Sequence, residues 1–292
     1  MHILVTGGTG LIGSAACAAL TAAGHELTVW TRRAREPSGN VIFVTSLTQC
    51  RGDIDAVINL AGAGLADRRW SAAYKREIVA SRVELTHQLV TWMASLPRPP
   101  KALISASAIG FYGVADEQVF SERDAGGSGF SADLCGQWEQ AATAAASLGA
   151  AVTILRLGVV FARKGGALEK MTQASRFGVE SWLGTGQQWL SWVHLDDVVR
   201  IIEHVLTGAG SAPVYNAVSP GTVRHRELAY EVGRLRRSWI RLGIPEGMVS
   251  LLAGEMAEEL LTSGQRVMPE QLIAEGFEFR YPRLSEALAD LL

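Results

Sequence analysis

The chain has 292 residues, of which 48% are hydrophobic and 19% charged, with a net charge of −2 at pH 7. That length suits one large α/β domain, or a larger domain carrying a smaller one, and the composition is that of an ordinary globular protein. No basic stripe stands out, which argues against nucleic-acid binding. Cys17, Cys50 and Cys135 are dispersed and form no Cys-x-x-Cys pair, which argues against a disulfide framework or a metal site and fits a reducing cytoplasm.

Residues 3–22 carry no charge, but no Lys/Arg segment precedes them and glycines at 7, 8, 10 and 13 interrupt them. The expectation is a strand, a turn and a helix rather than a secretory signal or membrane span. Apolar runs then recur at HILVT, ELTVW, VIFV, AVINLA, ALISAS and VTILRLGVV. They lack polar/apolar alternation, so they read as strands buried on both faces. Helix-like stretches at 11–23, 71–96 and 131–148 separate most of them. Such alternation predicts right-handed crossovers and a Rossmann-type α/β fold, a doubly wound parallel sheet.

After residue 165 the rhythm changes. Helical pieces are expected near 166–177, 196–206, 224–237 and 246–261, with short strands at WLSWVH, VYNAV and FEFRY. The chain therefore divides into a dinucleotide-binding domain over 1–165 and a smaller, mostly helical C-terminal substrate-side subdomain over 166–292, with strand returns to the sheet.

Gly7, Thr9, Gly10, Leu11, Ile12 and Gly13 lie in TGGTGLIG, between the first strand and the first helix. A tight turn there needs positive φ, missing side chains let backbone approach a pyrophosphate, and free N–H groups at the helix start face the phosphates. At the end of the second strand, where an NAD site usually places Asp or Glu, stand Thr31 and Arg32. A guanidinium suits a 2′-phosphate, so NADP(H) is expected over NAD(H); a solvated basic turn is the plainer alternative. Leu60, Ala61 and Gly62 follow the fourth strand, at the edge where ligands bind in open α/β sheets.

These residues together resemble the short-chain dehydrogenase/reductase superfamily, extended type. TGGTGLIG, DAVINLAGAGLADRRW, the helix with Glu77 and Ser81-Arg82, LISASAIGFYG, GGALEKM, GTGQQWLSWVHLDD and GQRVMPEQLIAEGFEFRYP are similar to one atypical subgroup, the sugar-nucleotide epimerase-like "epimerase family". The resemblance covers nearly the whole chain. It implies a Rossmann-type domain binding NADP(H), with Glu77 and Arg82 as cofactor contacts; a surface ion-pairing face is the bland reading of those two.

Ordinary superfamily members use Tyr-x-x-x-Lys, in which the lysine lowers the tyrosine pKa for proton exchange with substrate. This chain has four lysines, Lys75, Lys101, Lys164 and Lys170, and the residues four places earlier are Ser71, Pro97, Val160 and Gly166. On the expected helix, Ser131 and Cys135 stand where the pair would be. Ser107 aligns with the superfamily's active-site Ser/Thr, and Tyr112 follows five residues later. These two are the candidate catalytic residues; a strand end with small packing residues, and an aromatic ring covering the crevice rim, are the alternatives.

Substrate contacts are expected from Arg69 after the fourth strand, from Arg156 at the end of the sixth, and from Gln187, Trp189, Trp192 and His194. The tryptophans offer flat surfaces for a base or sugar ring, although His194 reads more as a satisfied structural histidine than as a catalyst. His225 and its flanking arginines are expected at an exposed helix start. The implied function is an NADP(H)-dependent oxidoreductase or epimerase acting on a small, nucleotide-sugar-like substrate with a non-standard proton-transfer group. The alternative is a non-catalytic NADP(H)-binding redox sensor. No membrane partner is expected, and homo-oligomerisation is left open.

Overall fold

A computed structural model describes residues 1–115 and 117–292. Seven parallel strands form the central sheet in the order Val41–Val44 (β3), Glu26–Trp30 (β2), His2–Thr6 (β1), Ala56–Asn59 (β4), Ala102–Ala108 (β5), Ala151–Leu157 and Val214–Ala217. The order reverses between β1 and β4, which opens a crevice at their carboxyl ends, as doubly wound sheets do.

Both faces of the sheet are covered, and alternation along β1 shows it. Ile3 and Val5 pack with the helices Leu11–Ala22 (α1) and Leu195–Leu206, whereas Leu4 packs with Leu89, Met93, Ala142 and Ala145 on the other side. All three β1 residues are fully buried. This explains the uninterrupted apolar runs: a strand between two helical layers has no wet face.

The expected helix over 71–96 is built in three parts. An α-helix (Ala72–Val79, α2) gives way to a π-helical segment (Ala80–Glu84) and then to a second α-helix (Leu85–Ser95, α3). The wider turn re-aims the side chains, so Arg82, Val83 and Thr86 are all buried. The next helix runs Phe130–Thr143 (α4), with a 3-10 extension over Ala144–Leu148.

The C-terminal part holds more strand than its sequence suggested. Val179–Leu183 pairs with Ile240–Ile244, Trp189–Leu190 with Val223–Arg224, Trp192–His194 with Val159–Phe161, and Arg266–Val267 with Val119–Phe120. FEFRY, expected as a strand, is not one. Its Arg280 and Tyr281 N–H groups donate to the buried Asp197 carboxylate at 2.7 and 3.0 Å instead of to a ladder, and Phe277 and Phe279 pack edge to face. A short C-terminal helix, Leu284–Leu291, closes the chain.

His225 corrects a second expectation. It opens the helix His225–Arg236 but is only 8% exposed, and its Nδ1 has no partner among the described residues. Burial disfavours the imidazolium and pulls its pKa down from 6.5 to about 4. The folded state therefore keeps His225 neutral while the unfolded chain takes up a proton below pH 6.5. Stability from this site is full above that pH and falls as pH drops from 6.5 toward 4, by about 3 kcal/mol in total. Urea unfolding of wild type between pH 7 and 4.5 is expected to show this loss, and His225→Phe should flatten that part of the slope; an unchanged slope in the variant would show that other groups cause it.

Candidate functional site

The glycine loop sits at the switch point and is shaped by what its glycines lack. Gly7 has φ +67°, and a β-carbon on it would lie 2.5 Å from the Leu60 carbonyl oxygen at the end of β4. A β-carbon on Gly13 would lie 2.2 Å from the Gly7 carbonyl oxygen, and one on Gly8 would lie 2.7 Å from a Val29 methyl. Gly10 donates its N–H to the Gly7 carbonyl at 2.9 Å and N-caps α1 without any side-chain cap. Thr9 and Gly10 are exposed, Leu11 and Ile12 half-buried. The result is a backbone cradle at a helix start, open to solvent, which suits a diphosphate.

A buried polar network anchors this cradle. The Thr6 hydroxyl donates to Asn59 Oδ1 at 2.7 Å and accepts from the Leu60 and Ala61 N–H groups. Asn59 Nδ2 donates to Thr86 at 2.8 Å and Ser105 at 3.1 Å, and Trp138 also reaches Thr86. Sequence reasoning passed over Thr6, Asn59 and Thr86. The available signal was an asparagine closing an otherwise apolar strand, since a buried amide must find partners.

Arg32 is exposed, two residues past the end of β2, and the β1–β2 register sets Trp30 beside Thr6, next to the loop. Thr31 is half-buried and its hydroxyl accepts from Arg33 N–H. Glu77 and Arg82 diverge. Glu77 faces outward, 3.4 Å from Arg68 on the surface. Arg82 turns inward, donates to the Ala63 carbonyl at 2.9 Å, and fills the space a side chain on Gly62 would need. Burial lowers its pKa.

Ser107, Tyr112 and Arg156 are brought together with a residue that the sequence did not single out, Glu139 on α4. Arg156 Nε and Nη2 each donate to the Glu139 carboxylate at 2.9 Å, and the Ser107 hydroxyl donates to the same carboxylate at 2.7 Å. Arg156 Nη1 donates to the Tyr112 hydroxyl at 2.9 Å, which in turn donates to Asn216 Oδ1 at 2.7 Å. Tyr112 is 2% exposed, inside the molecule rather than on a rim, and burial raises its pKa. Burial alone would lower the Arg156 pKa, but Glu139 and Tyr112 outweigh it and raise it. Cys135 is buried beside Ser107, its thiol pushed up to about 11 by burial, and Ser131 is one turn earlier on α4. Glu259 caps that helix from the C-terminal part, accepting from the Phe130 and Ser131 N–H groups.

The remaining substrate candidates are spread out. Trp192 is fully buried, stacked on Phe161, and donates to the Gly221 carbonyl at 2.8 Å. His194 is 2% exposed and accepts from Asp196 N–H at the start of the next helix. Gln187 is exposed. Trp189 is half-buried between two guanidinium groups, Arg224 at 3.7 Å and Arg266 at 4.6 Å. Arg69 is exposed and lies against Gly254. No cluster able to hold a metal ion occurs among the described residues, and none of their helices is long and apolar enough to cross a membrane.

A doubly wound sheet with a glycine cradle at its switch point defines a Rossmann-type fold. Residues 3–217 match the NAD dependent epimerase/dehydratase family, and residues 244–291 match a domain of unknown function, DUF1731. The chain belongs to the NAD dependent epimerase/dehydratase family. It is 36% identical over 294 residues to epimerase family protein Mb2239 of Mycobacterium bovis, covering 98% of this chain and 96% of that protein. It is 32% identical over 297 residues to human epimerase family protein SDR39U1, covering 100% of both. A crystal structure of human SDR39U1 (isoform 2) with NADPH superposes with a TM-score of 0.90 at 31% identity, covering 100% of this chain and 99% of that one. The nucleoside-diphosphate sugar epimerase from Corynebacterium glutamicum gives 0.79 at 28%, covering 99% of this chain and 57% of that one.

The cradle makes a sharp prediction. Gly7→Ala forces an unfavourable φ and drives a β-carbon into the Leu60 carbonyl, so it should destabilise the fold by about 1–3 kcal/mol. Gly24→Ala, also at positive φ but with open space around it, should cost less. Equal losses in chemical denaturation would mean that the contact with β4 is not tight.

Proposed function

We propose that the chain binds NADP(H) at the glycine loop and acts as an NADP(H)-dependent oxidoreductase or epimerase on a small polar substrate such as a nucleotide-linked sugar. The observation that carries this reading is the backbone cradle at the start of α1, with Arg32 at its edge. Neither Arg32 nor Arg33 has a side-chain hydrogen-bond or ion-pair partner among the described residues, and both guanidinium groups are exposed. A fork of that kind fits a ribose 2′-phosphate, for which a carboxylate would be repulsive. The NADPH in the human relative's crystal structure supports the choice of dinucleotide.

When bound, the dinucleotide supplies hydride exchange at its nicotinamide ring. The chain's residues have other duties. Gly7, Gly10 and Gly13 admit the diphosphate, Thr9, Leu11 and Ile12 frame it, and Leu60, Ala61, Gly62 and Arg82 form the wall beyond β4. Ser107 meets the reacting oxygen. The proton travels by a route other than Tyr-x-x-x-Lys, with Tyr112 or a bound water as its carrier. In this reading, residues 1–165 hold the cofactor, and 166–292 present the substrate wall, with Trp189 and the two arginines stacked on it in that wall and Arg69 and Gln187 at its margin.

A second reading, a non-catalytic NADP(H)-binding redox sensor, has its own support. The hydroxyls of Ser107 and Tyr112 are both already engaged by protein partners, and both residues are almost wholly buried. It predicts tight NADPH binding with no oxidation over a panel of carbonyls and nucleotide sugars; turnover near ~1 s⁻¹ on any of them would exclude it.

Fluorescence titration tests the cofactor assignment. NADPH should bind saturably and more tightly than NADH, and Arg32→Glu should weaken NADPH by about tenfold or more, the loss of a charge-assisted contact worth ~1.5–3 kcal/mol. An equal affinity for NADH and NADPH in the wild type would remove Arg32 from the site.

A further inference from the structure

The row Ser131, Cys135, Glu139 runs along one face of α4, each residue four after the last, and that face meets the end of β5. The first two positions hold groups poorly suited to proton chemistry. The third is a carboxylate, and it is the one that touches Ser107.

We infer that Glu139 is a positioning residue that fixes the polarity of Ser107, so that the site selects a ligand hydroxyl rather than a carbonyl. The inference builds on the function proposed above. Its basis is hydrogen-bond accounting. A carboxylate held by both arms of the Arg156 fork can only accept, and it accepts the Ser107 hydroxyl's hydrogen bond at 2.7 Å. Ser107 Oγ then offers lone pairs alone. A carbonyl brought to it would find no donor. An alcohol would donate its O–H to Oγ and still have its own oxygen free to accept.

A donor for that oxygen lies on the same row. The Ser131 hydroxyl is buried, belongs to a residue 9% exposed, and has no partner among the described residues. Its surroundings connect it to Ser107: a β-carbon on Gly110 would lie 3.1 Å from Ser131 Cβ and 4.0 Å from Cys135 Sγ, and Cys135 neighbours Ser107. Ser107 thus only accepts, while Ser131, one turn before Cys135 on the same row, keeps a hydroxyl that is free among the described residues. The orientation is also well defended. Arg156 is itself braced by Tyr112, whose hydroxyl is tied to Asn216, so Glu139 cannot swing away without unpairing a buried guanidinium.

The test uses the full chain loaded with NADPH, so that an alcohol probe is not oxidised, and two probes: UDP-glucose and UDP-4-deoxy-4-fluoroglucose. Fluorine accepts weakly but cannot donate. Calorimetric titration of wild type should show the fluoro probe binding about tenfold more weakly, the magnitude of one hydrogen bond to a polar site. In Glu139→Gln, whose amide can turn an N–H toward Ser107, that ratio should fall toward one, and Glu139→Asp should recover it in part. A merely structural role would weaken both probes alike and leave the ratio untouched. Equal binding of the two probes by wild type, or no binding of either, overturns the inference. NADPH titration of the same samples separates the two levels: failure there brings down the cofactor reading itself, whereas intact NADPH binding with an unchanged probe ratio in Glu139→Gln overturns only the role of Glu139.

Discussion

At the carboxyl end of β1, three backbone segments converge so closely that no β-carbon fits between them. The loop Gly7–Gly10 presses on the end of β4, the start of α1 presses back on the loop, and Val29 of β2 closes the third side. Everything the site offers follows from that approach. Only bare backbone can bring helix-start N–H groups to the crevice mouth while keeping the strands in parallel register. The Thr6 hydroxyl ties the same point to β4 and, through Asn59, to β5 and α3. The glycine loop and β5 are therefore joined through one hydrogen-bonded layer across three adjacent strands.

The buried charges are the second constraint, and they carry a cost. Arg156 and Glu139 are 6% and 12% exposed at their side chains, and desolvating such a pair cancels much of its Coulomb attraction. Hydrophobic packing would stabilise the same volume at least as well. What the ion pair adds is direction: it fixes Ser107 and, through Tyr112, Asn216 on the edge strand Val214–Ala217. Arg82 is a related case. It is buried without a carboxylate partner among the described residues, held by the Ala63 carbonyl, and stacked over Trp138 at 5.3 Å. A cation kept there despite the cost lies under the wall of the crevice.

The sheet was legible because two covered faces call for long apolar runs, and the glycine loop because its context on both sides is so restrictive. Other features were not, each for a physical reason. A π-helical turn has no periodic signature distinct from the α-helix around it, so the inward turn of Arg82 was invisible. Glu139 gave no signal of its own, because its partner Arg156 lies 17 residues away on a strand. His225, flanked by arginines, looked wet, but the pairing of Val223–Arg224 with Trp189–Leu190 tucks it beneath the neighbouring strand pair. FEFRY has the composition of a strand, and lost that fate to a buried aspartate 83 residues upstream. In each case the deciding partner was distant in sequence.

The absent Tyr-x-x-x-Lys pair is better understood from the neighbourhood that replaced it. A phenolate needs a nearby cation to stay ionised and a solvent path for its proton. On α4 the corresponding positions hold a small hydroxyl and a thiol that burial keeps protonated, with Glu259 capping the helix above them. Of the cations near this row, Arg82 is held by a backbone carbonyl and Arg156 by Glu139. Arg156 also braces the Tyr112 hydroxyl, which lies off α4. The charge arrangement thus favours a bound, neutral oxygen at Ser107 over an anionic acid–base residue on α4.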